Sequence, residues 1–147
     1  PAPSELRIVA IHPQIEIKTK DAREVLPKEI LLKDAITQWA NVGGLISGLY
    51  TDNYNLISNS LVDIVVEPHR KKLIPFFDDV KNAAINAGAL GAGISGSGPT
   101  IFAICKGDDA AKEVFDAIEL SYRDKFVDFE MFTSKIDEEG IKILHSF

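Results

Sequence analysis

Between residues 31 and 50 apolar side chains recur at three- and four-residue steps: Leu32, Ala35, Ile36, Trp39, Val42, Gly43, Ile46 and Leu49. That period marks one face of a helix. Lys33, Asp34, Thr37, Gln38 and Asn41 fall on the opposite face. The apolar face is expected to turn inward, with Trp39 in the core. Gly43, Gly44, Ser47 and Gly48 interrupt the pattern. An interior glycine weakens a helix by roughly 1 kcal/mol relative to alanine, but it lets a neighbour pack close.

The other segments are shorter. Leu6–Ile11 is aliphatic and β-branched and is closed by His12-Pro13, which predicts a strand ending before the proline. Ile15–Lys18 alternates like a short edge strand, and Thr19 is a candidate N-cap for a helix stopping at Pro27. A further helix is predicted over Thr51–Val66, followed by the basic run Glu67–Lys72. Pro75 suits the first turn of a helix carrying Phe76, Phe77, Val80, Ala83, Ala84 and Ala87, with Gly88 as its C′ residue. A strand is expected over Thr100–Cys105, then a helix capped by Asp108 and running to about Tyr122. Phe126–Phe132 alternates as a strand with Val127, Phe129 and Met131 inward. A turn at Asp137–Gly140 leads to a final strand at Ile141–His145. This order predicts an α+β fold, a ferredoxin-like α/β plait of βαββαβ type with extra helices.

Length and charge narrow the function. A chain of 147 residues is about one domain, and such a chain buries roughly 68–70% of its unfolded surface. A net charge of −6 argues against a basic nucleic-acid surface. No apolar run reaches the ~18 residues of a membrane span. The single cysteine, Cys105, allows no intrachain disulfide and fits a reducing, cytoplasmic setting. Pro1-Ala2-Pro3-Ser4 reads as a linker at a domain boundary, so a longer protein is expected. His12, His69 and His145 lack metal-ligand spacing and are expected to be structural or exposed.

Five of the ten glycines lie in Gly88–Thr100. Gly91–Gly96 spells G-x-G-x-x-G, but a dinucleotide site needs a strand before it and a helix after it, and here the order is reversed. No Gly-Lys-Ser/Thr follows, and neither Ser95 nor Ser97 has glycine at both offsets of a hydrolase elbow. A tight hairpin would need fewer small residues than this stretch holds. Its amide-rich backbone suits a concave lining for an anion.

Gly91–Thr100 resembles the third conserved motif of the GHMP kinases, in their C-terminal domain. Lys20–Pro27, Glu67-Pro68-His69-Arg70, Leu73-Ile74-Pro75 and Gly88–Ala92 are similar, in the same order, to the homoserine kinases of that superfamily. The resemblance covers the chain from about residue 6 onward. It implies a ferredoxin-like C-terminal domain that fills 1–147, in a protein phosphorylating the hydroxyl of L-homoserine with ATP and Mg²⁺. The family's nucleotide loop, P-x-x-x-G-L-G-S-S-A-A, does not occur here. The nucleotide is therefore expected in an N-terminal domain outside this chain, and the chain alone is expected to be inactive. A homodimer is also implied. Substrate contacts map to Thr19, Arg23 and Arg70, since an arginine fork suits a carboxylate. Gly93, Ser95, Gly96, Ser97 and Gly98 map to the cleft wall, and no residue maps to a general base or nucleophile. From the residues alone, Thr19 also reads as a plain cap and Arg23 as a solvated charge beside Asp21 or Glu24. Two other functions fit the same pattern: a stand-alone amino-acid-binding regulatory module, and a dimerisation domain built on the glycine-rich helix at 31–50.

Overall fold

In a computed structural model of the protein, residues 2–137 and 139–141 are described. Beyond residue 141 the expected last strand and His145 lie outside them, as does residue 138 of the turn before it.

The strand β1 (Leu6–Pro13) leads through α1 (Thr19–Glu24), α2 (Leu32–Tyr50), α3 (Tyr54–Ser60) and α4 (Glu67–Arg70). A 3-10 turn at Lys71–Leu73 precedes α5 (Phe77–Asn86), β2 (Gly91–Ile94), β3 (Ile101–Lys106), α6 (Gly107–Arg123) and β4 (Phe129–Lys135). The strands form one antiparallel sheet in the order β2-β3-β1-β4. With α5 and α6 as its two crossover helices, this is the predicted βαββαβ plait, and α1–α4 are the extra helices.

The core lies between the sheet and α5/α6. Val9 and Ile11 of β1, and Ile101, Ala103 and Cys105 of β3, point to that side at period two. Ala111, Val114, Ile118 and Tyr122 come down from α6 at helical spacing. Val127, Phe129 and Met131 pack against this core as the alternation predicts. Tyr122 is fully buried, its hydroxyl donates to the Pro75 carbonyl at 3.3 Å, and burial pushes its phenol upward.

Several local expectations fail for identifiable reasons. Residues 15–18 form no strand; Ile17 turns toward the glycine stretch instead. The helix expected over 51–66 covers only Tyr54–Ser60, capped by Asn53 Oδ1 accepting from the Leu56 amide at 3.0 Å. Pro75 stands outside α5 because Phe76 adopts a left-handed φ of 59° before it. That turn sets the Phe76 ring edge-on to Tyr122 at 5.8 Å. Asp108 caps nothing; its carboxylate takes both Nε and Nη2 of Arg7. Gly88 does end α5 as expected, at φ 98°, with Ala89 N donating to Ala84 O and Gly88 N to Ile85 O.

The largest departure is in α2. Its small and polar face is the one that packs on this chain. A Cβ at Gly44 would lie 2.4 Å from Ser60 Oγ, and one at Gly48 2.9 Å from Ile57 Cγ1, so both glycines let α3 approach. Of the apolar face, Leu32, Ile36, Trp39, Val42 and Ile46 turn outward, Trp39 being 65% exposed rather than in the core, while Ala35 is buried as expected.

Candidate functional site

The β2–β3 hairpin turns through six residues, 95–100. Ser95 N donates to Thr100 O at 2.8 Å and Gly98 N to Ser95 O at 3.0 Å, which closes the turn. Gly98, at φ 85°, has Ile74, Ile94 and Ile17 packed where its Cβ would stand, the nearest atom at 2.9 Å. His12 Nδ1 and Thr100 Oγ1 are hydrogen-bonded at 2.7 Å, tying the turn's far end to β1. Gly96 instead faces open space at φ 61°. Among the described hydrogen bonds the Gly96 and Ser97 amides make none. Gly93 sits apart from the turn, buried in β2 with Glu67 Oε2 beside its α-carbon.

Arg70 joins the turn to α1. Its Nε donates to the Ala22 carbonyl at 3.2 Å and its Nη1 to the Gly96 carbonyl at 2.9 Å. Both acceptors are neutral, so the guanidinium keeps its whole charge with no carboxylate against it among the described residues. Arg70 is placed by Asp63, whose carboxylate accepts from the amides of Val65 (2.9 Å), Val66 (2.8 Å) and Glu67 (3.2 Å) and so opens α4. A carboxylate receiving amides at a helix start is stabilised by the helix dipole. Behind it Glu67 is paired with Lys81, both side chains mostly buried. The sequence reading missed Asp63, Glu67 and Lys81. The signal was an aspartate four residues before Glu67-Pro68, which is helix-opening chemistry.

On α1, Lys18 rather than Thr19 is the N-cap, and no side chain caps the helix. The Thr19 hydroxyl is therefore not used by the backbone, and it is exposed. Arg23 is exposed one turn further on, the same face at an i,i+4 step. Glu24 pairs with Lys20 at 3.6 Å and leaves Arg23 without an ion pair among the described residues. Arg70 and α1 thus meet through Ala22, next to Arg23. Lys71 is engaged elsewhere, on Asp78 at 2.9 Å.

A cavity of about 220 Å³ opens on the other face of the sheet, between α2, residues 60–63, Glu67 and β2/β3. Gly93 lines it; Thr19, Arg23 and Arg70 do not. Among the described residues no three His, Cys, Asp or Glu side chains are grouped to hold a metal ion. No helix there is long and apolar enough to cross a membrane. Burial raises the Cys105 thiol to about 11, which marks a core residue and not a nucleophile.

The α+β plait thus holds, between a short helix and a glycine-rich hairpin turn, an arginine with no ion pair among the described residues. The family described as GHMP kinases C terminal matches residues 44–124, and the chain belongs to that family. A homoserine kinase of Chlorobium phaeovibrioides is 47% identical over 146 residues, 98% of this chain and 46% of its own length. One from Pyrococcus abyssi is 40% identical over 126 residues, 83% of this chain and 42% of its own. The crystal structure of a homoserine kinase from Cytophaga hutchinsonii superposes with a TM-score of 0.89 at 47% identity, covering 91% of this chain and 42% of that one. The chain therefore spans a little under half the length of the relatives it matches, and the resemblance read from its motifs holds.

Proposed function

We propose that this chain is the acceptor-reading half of a homoserine kinase. In the whole protein the γ-phosphoryl of ATP passes to the side-chain hydroxyl of L-homoserine. The new bond is oxygen to phosphorus, the bond to the β-phosphate breaks, ADP leaves and the hydroxyl proton is lost. Phosphoryl transfer of this kind depends on positioning and charge stabilisation. Mg²⁺ and the nucleotide supply the charge neutralisation when bound. We assign them to an N-terminal domain outside this chain, because the family's nucleotide loop, P-x-x-x-G-L-G-S-S-A-A, does not occur in these 147 residues.

The observation that carries this reading is the Arg70 guanidinium, held on two main-chain carbonyls with its charge uncompensated. It takes the carboxylate of the amino acid, with Arg23 beside it and the Thr19 hydroxyl as a further hydrogen-bonding group. Ser95–Gly98 form the floor toward the transferring phosphoryl, where the Gly96 and Ser97 amides are available donors. Neither serine acts as a nucleophile, and no general base is assigned. The protein works in the cytoplasm, where Cys105 stays reduced.

The test is ADP release by the whole protein with Mg²⁺ and ATP. L-Homoserine should drive it and yield O-phosphohomoserine. No phosphorylation of L-homoserine under conditions where ATP binds would overturn the assignment.

A further inference from the structure

α4 is four residues long, and a single helical turn does not hold its own shape in water. Its two ends are set by what they touch. At one end Glu67 reaches β2, where its Oε2 lies 3.2 Å from the place a Cβ of Gly93 would take. At the other end Arg70 reaches the turn after β2, through Nη1 on the Gly96 carbonyl. Both sides of this contact advance by three residues, 67 to 70 on the helix and 93 to 96 on the strand and turn. Gly93 does not have a positive φ. Its missing side chain supplies room for the Glu67 carboxylate and for the Phe102 ring at 3.5 Å.

On a helix, a carboxylate three or four residues before a cation is spaced to pair with it. Glu67 stands three before Arg70 and four before Lys71. Lys71 is already on Asp78 at 2.9 Å. Nη2 of Arg70 makes no hydrogen bond among the described residues. Nothing within α4 keeps Glu67 from closing on that guanidinium and cancelling its charge. Lys81 of α5 does, by donating to Glu67 Oε1. The two side chains are 13% (Glu67) and 23% (Lys81) exposed, so the pair is mostly out of water.

We propose that Lys81 is a positioning residue for acceptor binding. It sequesters the Glu67 carboxylate, so that the Arg70 guanidinium stays free for the carboxylate of the amino acid. An ion pair taken out of water adds little to stability over an apolar pair of the same size, but loss of one partner leaves the other buried and unpaired. With Lys81 removed, the open counterion on Glu67's own helix is Arg70. An arginine occupied by its own chain's carboxylate does not bind, and the apparent affinity falls with the fraction so occupied. The inference rests on the reading of Arg70 as the carboxylate site.

The test compares Lys81→Met with Glu67→Gln/Lys81→Met in the whole protein. Capture of Arg70 in about nine of ten molecules raises the apparent KM for L-homoserine ~10-fold, the rise expected of Lys81→Met. Its kcat and its KM for ATP should stay nearly unchanged. The double variant removes both charges and should restore the acceptor KM. Assays well below both melting temperatures keep stability out of the comparison. A crystal structure of Lys81→Met should show the Glu67 carboxylate on Arg70. If Lys81→Met does not fold, Lys81→Gln keeps a hydrogen-bond donor beside Glu67 and should show the same split to a smaller degree. A raised KM that persists in the double variant means that the pair only braces α4, and it overturns the proposal. An unchanged KM in the single variant overturns it too, as does a Glu67 carboxylate that stays by Gly93 or turns to Lys71. If the unchanged protein does not phosphorylate L-homoserine, the proposed function fails instead, and the crystal structure still decides whether Lys81 holds Glu67 off Arg70.

Discussion

Arg70 donates to Gly96 O at 2.9 Å, a bond spanning 26 residues of sequence between a four-residue helix and a hairpin turn. With the second bond to Ala22 O it fixes the guanidinium before any substrate arrives. Rotamer freedom that a flexible arginine loses on binding is already lost here.

Arg70→Ala in the whole protein should raise KM for L-homoserine about 10- to 150-fold, the loss of a charge-assisted hydrogen bond of roughly 1.5–3 kcal/mol. KM for ATP should change far less. Steady-state kinetics against each substrate separate the two, and thermal unfolding controls for loss of the loop anchor. Equal rises in both constants would remove Arg70 from the acceptor site.

The two glycines of the turn should differ. Gly96→Ala meets only the left-handed backbone, about 1–2 kcal/mol. Gly98→Ala meets that strain and also Ile74 Cδ1 at 2.9 Å, so overpacking adds roughly 1–3 kcal/mol. Urea titrations should therefore rank Gly98→Ala well below Gly96→Ala.

Asp108 gives an acid-side prediction. The hydrogen bond from Arg7, opposed by desolvation, holds its carboxyl below the usual carboxylate range. A folded pKa below the unfolded value of about 3.9 adds stability that is complete above about pH 5 and is lost as pH falls through the folded value. Asp108→Asn should lower the urea midpoint at pH 7 and flatten its decline between about pH 5 and pH 2. An unchanged decline would mean that the pair contributes nothing.

Cys105 should resist thiol reagents. Burial raises it to about 11 and shields it at 0% exposure. At pH 8 a disulfide reagent should react only as the protein opens, then titrate one thiol per chain in urea. Fast labelling of the folded protein would show that β3 does not pack as described.

Much of this was legible in the sequence. Aliphatic runs at 6–11 and 100–105 located two strands, alternation over 126–132 placed β4 three residues early, and the helix expected over 108–122 is α6, because each buries one face on the same core. The glycine stretch held more small residues than a tight hairpin needs, and it forms a six-residue turn between β2 and β3 with positive φ at Gly96 and Gly98. What failed depended on partners far along the chain. Asp108 looked like a cap until Arg7, 101 residues away, took its carboxylate. Trp39 looked like core because periodicity reports an apolar face and not what covers it. In α2 the glycine face was the one that found α3. For the site, Arg70 was picked out by motif, whereas its two carbonyl acceptors belong to residues whose side chains give no hint of the contact.

Those carbonyls have a genetic consequence. An acceptor contributed by a side chain disappears with one codon change, but every amino acid brings a main-chain oxygen. Substitution at 22 or 96 can misplace the anchor of Arg70 through bulk or backbone geometry, yet cannot delete its chemistry. The arginine itself is then the position in this anchor where a substitution removes the donor outright, and random libraries of the chain should show that asymmetry.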